Sequence, residues 1–282
     1  RIPRMDISQL IQSIVLGIIQ GITEWLPVSS KAMMSVILVS FYNMNLTEAV
    51  YYAIWLHIGS LFAVALFYRG DILKLLRNVP TYVRDVRHPS GYNRLTTFLI
   101  IATFATALVG APLLVFGLTK LQLTGSYAIA FIGALLIGTG LLQLHARQRV
   151  GKRNRSLSSI DAIIVGMLQG VAILPGFSRS GLTVSALLLR RYSAQDALNL
   201  SFLMYIPAVI GAEIGLTIIK SGSYFTVYAL IAIVIAFFFS LLTISALLRM
   251  AERINFGYFC ILIGCLALVP LLITLSGVLP GV

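Results

Sequence analysis

Acidic side chains are scarce in this sequence: nine Asp and Glu among 282 residues, against 21 Lys and Arg. Histidine is rarer still, with three, and the only two cysteines, Cys260 and Cys265, both fall in the final apolar run. That pair supplies neither a disulfide framework nor a metal-ligand spacing, and it reads as packing. The short polar–apolar alternation that a membrane β-barrel requires is missing as well. Charged residues make up only 11% of the chain, while 59% is apolar and the mean hydropathy is +0.95. Such a composition lies far from that of soluble domains and predicts an integral membrane protein of helical type. The net charge of +12 does not argue for nucleic acid, because the basic residues sit in short loops between apolar runs, where orientation in a bilayer puts them.

Taken in order, residues 1–4 precede Met5 and are set aside as an upstream extension. Residues 7–21 are apolar but too short for a full span. Glu24, Pro27 and Ser29-Ser30-Lys31 then interrupt, and apolar sequence resumes over 32–41. Two short arms around a polar break predict a re-entrant hairpin over 7–41. Spans follow at 51–68, with its helix starting near Thr47, and at 95–118 and 127–144, with a hydrophilic loop at 69–94. Residues 160–191 repeat the hairpin pattern around the break at 175–181, and further spans lie at 197–219, 224–248 and 256–275.

Loop charge sets the sidedness. Basic segments at 69–94, 147–155, 190–191 and 249–253 belong on the cytoplasmic side, and the linkers near 42–47, 119–125 and 220–223 belong outside. The count closes only if 160–191 enters and leaves from the inner side and 7–41 from the outer side. The expected fold is therefore an all-α membrane protein: six transmembrane helices plus two re-entrant helical hairpins in an inverted-topology repeat. Its parts are a first repeat at 5–144, a basic cytoplasmic loop at 145–159, and a second, inverted repeat at 160–276.

The two breaks carry the chemistry. Each copy runs Gly-x-x-Gln-Gly, at 17–21 and 166–170, then an apolar turn, Leu-Pro and a hydroxyl cluster. An ionisable residue at membrane depth is costly, which makes Glu24 and Arg179 candidates for function. Gln20 and Glu24, four apart, share one helical face. Ser29 and Ser30 follow Pro27, where hydroxyls cap the next arm and free amides attract an anion. Gly176 and Gly181 bracket Ser178-Arg179-Ser180, combining close backbone approach with a bidentate donor. Together the breaks predict an oxyanion pocket containing one carboxylate. The same residue types have blander uses. Ser and Gly pack membrane helices closely, Glu24 and Arg179 can pair without a ligand, and Lys31 can snorkel to the outer interface. His57, inside a span, is more often a satisfied polar residue than a catalyst.

Thr-Glu-Trp-Leu-Pro-Val-Ser-Ser (23–30) and Leu-Pro-Gly-Phe-Ser-Arg-Ser-Gly (174–181), in this order and separation, resemble the two signatures of the undecaprenyl-pyrophosphate phosphatase family, the bacitracin-resistance integral membrane phosphatases. Ile-Gly-Ser (58–60) and Leu-Ser-Phe-Leu (200–203) are similar to further segments of that family. The resemblance implies a multi-pass plasma-membrane hydrolase, with its site opening to the outer face, that removes the terminal phosphate of a polyprenyl diphosphate to recycle a cell-wall lipid carrier. It implies Glu24, Ser30 and Arg179 as catalytic residues, with Ser29, Lys31, Ser178, Arg179, Ser180 and Gly181 around the phosphates. Its partners would be the polyprenyl diphosphate and the bilayer, with assembly open between a monomer and a homodimer. A divalent cation, Mg or Ca, would sit at Glu24 and Gln20.

Two positions depart from the family pattern. Gln20 stands where a first Glu is expected, and Met33 stands where a His is expected within Ser30-Lys-Ala-Met33. The first change removes a charged metal ligand, the second a base. Lys31 is then expected to add positive charge, and His57 to supply the base. The alternative expectation is a translocator of a prenyl monophosphate, or of another anionic lipid, that does not hydrolyse it.

Overall fold

A computed structural model of the chain describes residues 6–84, 91–117, 120, 123–149, 156–220 and 226–276. These are almost entirely helical, as the apolar runs require where backbone groups have no water to bond. The helices are α1 (Ile7–Thr23), α2 (Ser30–Tyr42), α3 (Leu46–Phe67), α4 (Arg69–Arg84) and α5 (Tyr92–Pro112). A π-helical turn over Leu113–Gly117 extends α5. The second half holds α6 (Gly125–Arg147), α7 (Ser159–Val171), α8 (Arg179–Leu189), α9 (Ala194–Lys220), α10 (Val227–Arg253) and α11 (Gly257–Leu275). Six of them (α3, α5, α6, α9, α10, α11) are long and apolar enough to cross a membrane, and α1, α2, α7 and α8 are shorter apolar helices.

Two segments differ from the sequence reading. Residues 69–84 form a helix rather than a hydrophilic loop. Leu73, Leu76, Val79 and Val83 form an exposed stripe along it, with Lys74, Arg77 and Arg84 on its flanks. Spacings of three and four make it amphipathic, and its charges held its hydropathy below that of a span. The first span starts at Leu46, beside the expected start near Thr47, because Asn45 caps it by accepting from the Glu48 amide at 2.9 Å. At 249–253 the chain is still helical, as the end of α10. The expected loop residues 150–155 and 85–90, and the span start at 224, lie outside the described residues.

In a membrane, burying apolar surface between helices gains little over lipid contact, so close packing and hydrogen bonds hold the bundle. Glycines supply the close packing. A Cβ on Gly17 would fall 2.6 Å from the Ala232 carbonyl oxygen, and one on Gly21 2.6 Å from Phe239 Cβ, so α1 lies directly on α10. In the second copy, Gly166 and Gly170 meet Ala102 and Thr106, placing α7 on α5 in the same way. Between α6 and α11 the contact is reciprocal: Gly133 faces Gly264, and Gly140 faces Gly257. The spaced glycines of both Gly-x-x-Gln-Gly motifs are thus helix-contact residues.

The ends of the short helices are tied down. The Asp6 amide donates to Tyr228 Oη at 2.6 Å beside the start of α10, and the Leu46 amide donates to the Leu123 carbonyl at 3.1 Å. At the other pair, Arg190 just after α8 bonds the fully buried Asp161 in the first turn of α7, and Tyr192 Oη donates to the same carboxylate at 3.0 Å.

Candidate functional site

After α1 the chain turns through Glu24 to Pro27 and restarts at α2, with Ser29 in a left-handed conformation (φ 66°). That is a strained position for a residue with a Cβ, of the kind stored at functional sites. Ser29 caps α2 by accepting from the Ala32 amide at 3.3 Å, and its hydroxyl contacts the Phe177 carbonyl at 3.4 Å. In the second copy Gly176 takes the positive φ (108°), and Ser178 caps α8 by accepting from the Gly181 amide at 3.1 Å. Ser180 Oγ crosses to donate to the Leu26 carbonyl at 3.2 Å. The first turns of α2 and α8 therefore meet, each with its positive dipole end at the junction.

Glu24 lies at this junction, 5% exposed, and four donors converge on it. Ser30 Oγ donates to Oε2 at 2.6 Å, Gln20 Nε2 donates to Oε2 at 3.1 Å, and His57 Nε2 lies 3.2 Å from the same oxygen. Arg179 Nη2 donates to Oε1 at 2.9 Å across 155 residues of sequence. The other His57 nitrogen, Nδ1, is 2.7 Å from the Ala53 carbonyl, so both ring nitrogens face acceptors. Ser30 bonds the carboxylate rather than the imidazole, which makes Glu24 the group placed to take the serine proton.

Arg179 sits in the first turn of α8, where the helix dipole disfavours a cation, so its position serves contacts beyond the helix. Its Nη1 reaches the carbonyl and hydroxyl of Ser201, each at 3.4 Å, and its guanidinium carbon lies 4.2 Å from the Tyr205 ring centroid and 5.3 Å from that of Phe202. Its Nε is buried with no hydrogen-bond partner.

A small polar pocket of about 10 Å³ is lined by Glu24, Ser29, Ser30, Lys31, His57 and Ser178 to Ser180. An apolar cavity of about 200 Å³ opens from Glu24, Lys31, His57 and Arg179 between α5 and α9, past Thr106, Gly110, Leu114, Ala208 and Gly211.

The expected site residues Gln20, Glu24, Ser29, Ser30, Lys31, His57, Ser178, Arg179 and Ser180 are thus brought together. Gly181 is not in the pocket lining: its amide is occupied by the Ser178 cap, and it packs on Gln143 and Thr139. Tyr205 and the Ala172 carbonyl are additions, and nothing in the sequence pattern marks either. Ser60 and Ser201 lay in segments noted above for resemblance alone. They receive Gln20 Nε2 at 3.0 Å and Arg179, respectively.

The donor set does not fit a divalent cation. Gln20 turns its amide nitrogen, not its oxygen, towards Glu24, and a guanidinium already neutralises that single carboxylate. Among the described residues, no group of three or more His, Cys, Asp or Glu gathers anywhere.

Fold and site together define a polytopic helical membrane protein that joins a buried carboxylate, a serine and an arginine at the mouth of an apolar cavity. The sequence matches the family described as bacitracin resistance protein BacA over residues 13–269, and the chain belongs to that family. It is 42% identical over 266 residues to the undecaprenyl-diphosphatase of Methanococcoides burtonii, covering 93% of this chain and 98% of that protein. It is 36% identical over 272 residues to the undecaprenyl-diphosphatase of Methanopyrus kandleri, covering 93% and 97%, and 34% identical over 265 residues to that of Haloarcula marismortui, also covering 93% and 97%.

Proposed function

We propose that this protein hydrolyses a polyprenyl diphosphate of the undecaprenyl type to the monophosphate and inorganic phosphate. The observation that carries this reading is the Ser30–Glu24–Arg179 constellation at the mouth of an apolar cavity. The family membership and the names of its relatives point the same way. The lipid's proximal isoprene units occupy the cavity between α5 and α9, and the diphosphate reaches the paired helix N-termini. The polar pocket has room for about one water, so a phosphoryl group enters as Arg179 turns from Glu24 to the phosphate oxygens.

Ser30 Oγ then attacks the terminal phosphorus while its proton passes to Glu24 Oε2. The bond to the bridging oxygen breaks, and prenyl monophosphate leaves with that electron pair. Water attacks the phosphoserine, Ser30 recovers its proton from Glu24, and inorganic phosphate departs. Arg179 and the amides of α2 and α8 stabilise charge on the transferring group, the dominant contribution in phosphoryl transfer. His57 holds the Glu24 carboxylate in place from the side opposite its Ala53 anchor. All of these residues come from one chain, so the chemistry does not need a homodimer.

The topology belongs to the same proposal. Residues 7–41 form a hairpin entering from the outer side and 160–191 one entering from the inner side, within inverted repeats at 5–144 and 160–276. The contacts tying Asp6 to Tyr228, Leu46 to Leu123 and Arg190 to Asp161 support it, as does the matched placement of α1 on α10 and α7 on α5. On this topology the cavity lies towards the outward halves of α5 and α9, which supports lipid entry from the outer leaflet of the plasma membrane.

The test is phosphate release from C15 and C55 prenyl diphosphates by the purified protein. Ser30→Ala should lower turnover by on the order of 10³-fold or more. A Ser30→Ala protein that keeps a tenth of the wild-type rate would remove the nucleophile from this reading.

A further inference from the structure

Counted from the two prolines, the breaks correspond in sequence, with the helix caps Ser29 and Ser178 offset by one position. Lys31 and Arg179 each stand four after the proline, Ser30 and Ser178 three after, and Glu24 and Ala172 three before. The contacts exchange across this correspondence. Arg179 reaches over to the Glu24 carboxylate, and Lys31 reaches over to the Ala172 carbonyl oxygen. One basic side chain is therefore bonded to a carboxylate and its counterpart to a peptide oxygen. Lys31 is 9% exposed and forms no ion pair among the described residues. The pocket around it contains one acid, Glu24, against Lys31, Arg179 and the His57 imidazole. An excess of basic groups in a dry site calls for an anion.

The two cavities fix which part of the ligand Lys31 meets. Ser29, Ser30, Ser178 and Ser180 line only the polar pocket, Ala172 and Ile173 line only the apolar cavity, and Lys31, with Glu24, His57 and Arg179, lines both. Passing from the tail towards the terminal phosphate, a lipid meets the Lys31 ammonium before it meets Ser30.

We infer that Lys31 binds the phosphate that stays on the lipid and neutralises it as the leaving group, replacing a divalent cation, so that turnover needs no metal. This rests on the phosphatase reading above. As the bond from Ser30 Oγ to the terminal phosphorus forms, the bond to the bridging oxygen breaks and its electron pair stays with the prenyl monophosphate. The negative charge that develops there is met by the Lys31 N–H groups, which turn from Ala172 to the phosphate. Lysine suits the task as a compact point charge on a flexible stem. Gln20, neutral, leaves Glu24 as the single carboxylate, so no second acid competes for the ammonium.

The experiment has two arms. Phosphate release from C15 diphosphate is measured in EDTA and in added Mg²⁺ or Ca²⁺ for the wild type, Lys31→Met and Lys31→Arg. Binding of inorganic pyrophosphate in EDTA is measured calorimetrically for the same proteins, with thermal unfolding as the check on folding. The wild type should turn over equally, within about twofold, with and without metal. Lys31→Met should lose about tenfold to a hundredfold in both turnover and pyrophosphate affinity, the range expected for one charge-assisted contact, and Lys31→Arg should recover part of each. Wild-type turnover abolished by EDTA would overturn the inference, as would a Lys31→Met protein that binds pyrophosphate like the wild type. A wild type that releases no phosphate under any condition defeats the phosphatase reading instead, while the pyrophosphate arm still judges Lys31.

Discussion

Exchanging the Glu24–Arg179 pair separates catalysis from scaffolding. Glu24→Gln keeps the shape of the side chain but removes the charge facing Arg179 at 2.9 Å, with the two side chains 5% and 11% exposed. Its new NH₂ group must also face one of the four donors that now converge on the carboxylate. Breaking one side of a buried pair costs about 3–5 kcal/mol, a large fraction of a typical total stability of about 5–15 kcal/mol. The unfolding temperature in detergent should fall by on the order of 10 °C. Loss of the proton acceptor for Ser30 should cost about 10²–10⁴-fold in phosphate release per folded molecule. The double variant Glu24→Gln/Arg179→Met removes the stranded cation as well. Its stability should return to within about 1–2 kcal/mol of the wild type, since apolar replacements of buried pairs are well tolerated, while turnover stays lost. If activity returned together with stability, the pair would be a structural tie and Glu24 would have no part in the reaction.

Two further outcomes follow from the geometry. Gly211 lines the apolar cavity and has nothing within 4 Å of where its Cβ would lie. Gly211→Phe should therefore fold normally, fill much of the cavity of about 200 Å³ and raise KM for C55 diphosphate by about tenfold or more through lost apolar contact, with a smaller effect on inorganic pyrophosphate binding. For topology, single cysteines at Asn43 and Ser193 in a background lacking Cys260 and Cys265 should react with a membrane-impermeant reagent from opposite sides of the membrane. Labelling of both from one side would show that residues 160–191 cross the bilayer.

Much of this arrangement is legible in the residues. The membrane class follows from hydropathy. Glu24, Pro27 and the second break at Pro175 interrupt apolar arms too short to span, and all four arms are short helices. Glu24 and Arg179 were singled out by their cost at membrane depth, and they meet. Other features depend on contacts that no local pattern encodes. The Lys31 partner is a backbone carbonyl 141 residues away, which carries no side-chain signature. Tyr205 becomes a shelf for Arg179 only because α9 packs against α8. The α4 helix was hidden by a different limit: its four apolar residues are diluted by charge, so a reading tuned to spanning runs passes over them. Gly17 and Gly21 looked like part of the polar motif, yet their use is to let α10 approach, a role that appears only once the partner helix is known.

That leaning of α1 on α10 has a consequence for how the molecule is made. The hydrogen bond from Asp6 to Tyr228 joins groups 222 residues apart, so α1 is made long before the helix on which it leans. Until then the translocon, or lipid, must shelter an arm whose tip carries a carboxylate held only by Gln20, Ser30 and His57. Arg179 arrives earlier than that helix does, so Glu24 can find its cation before α1 finds its bed, and assembly would then begin at the reactive centre and close around it.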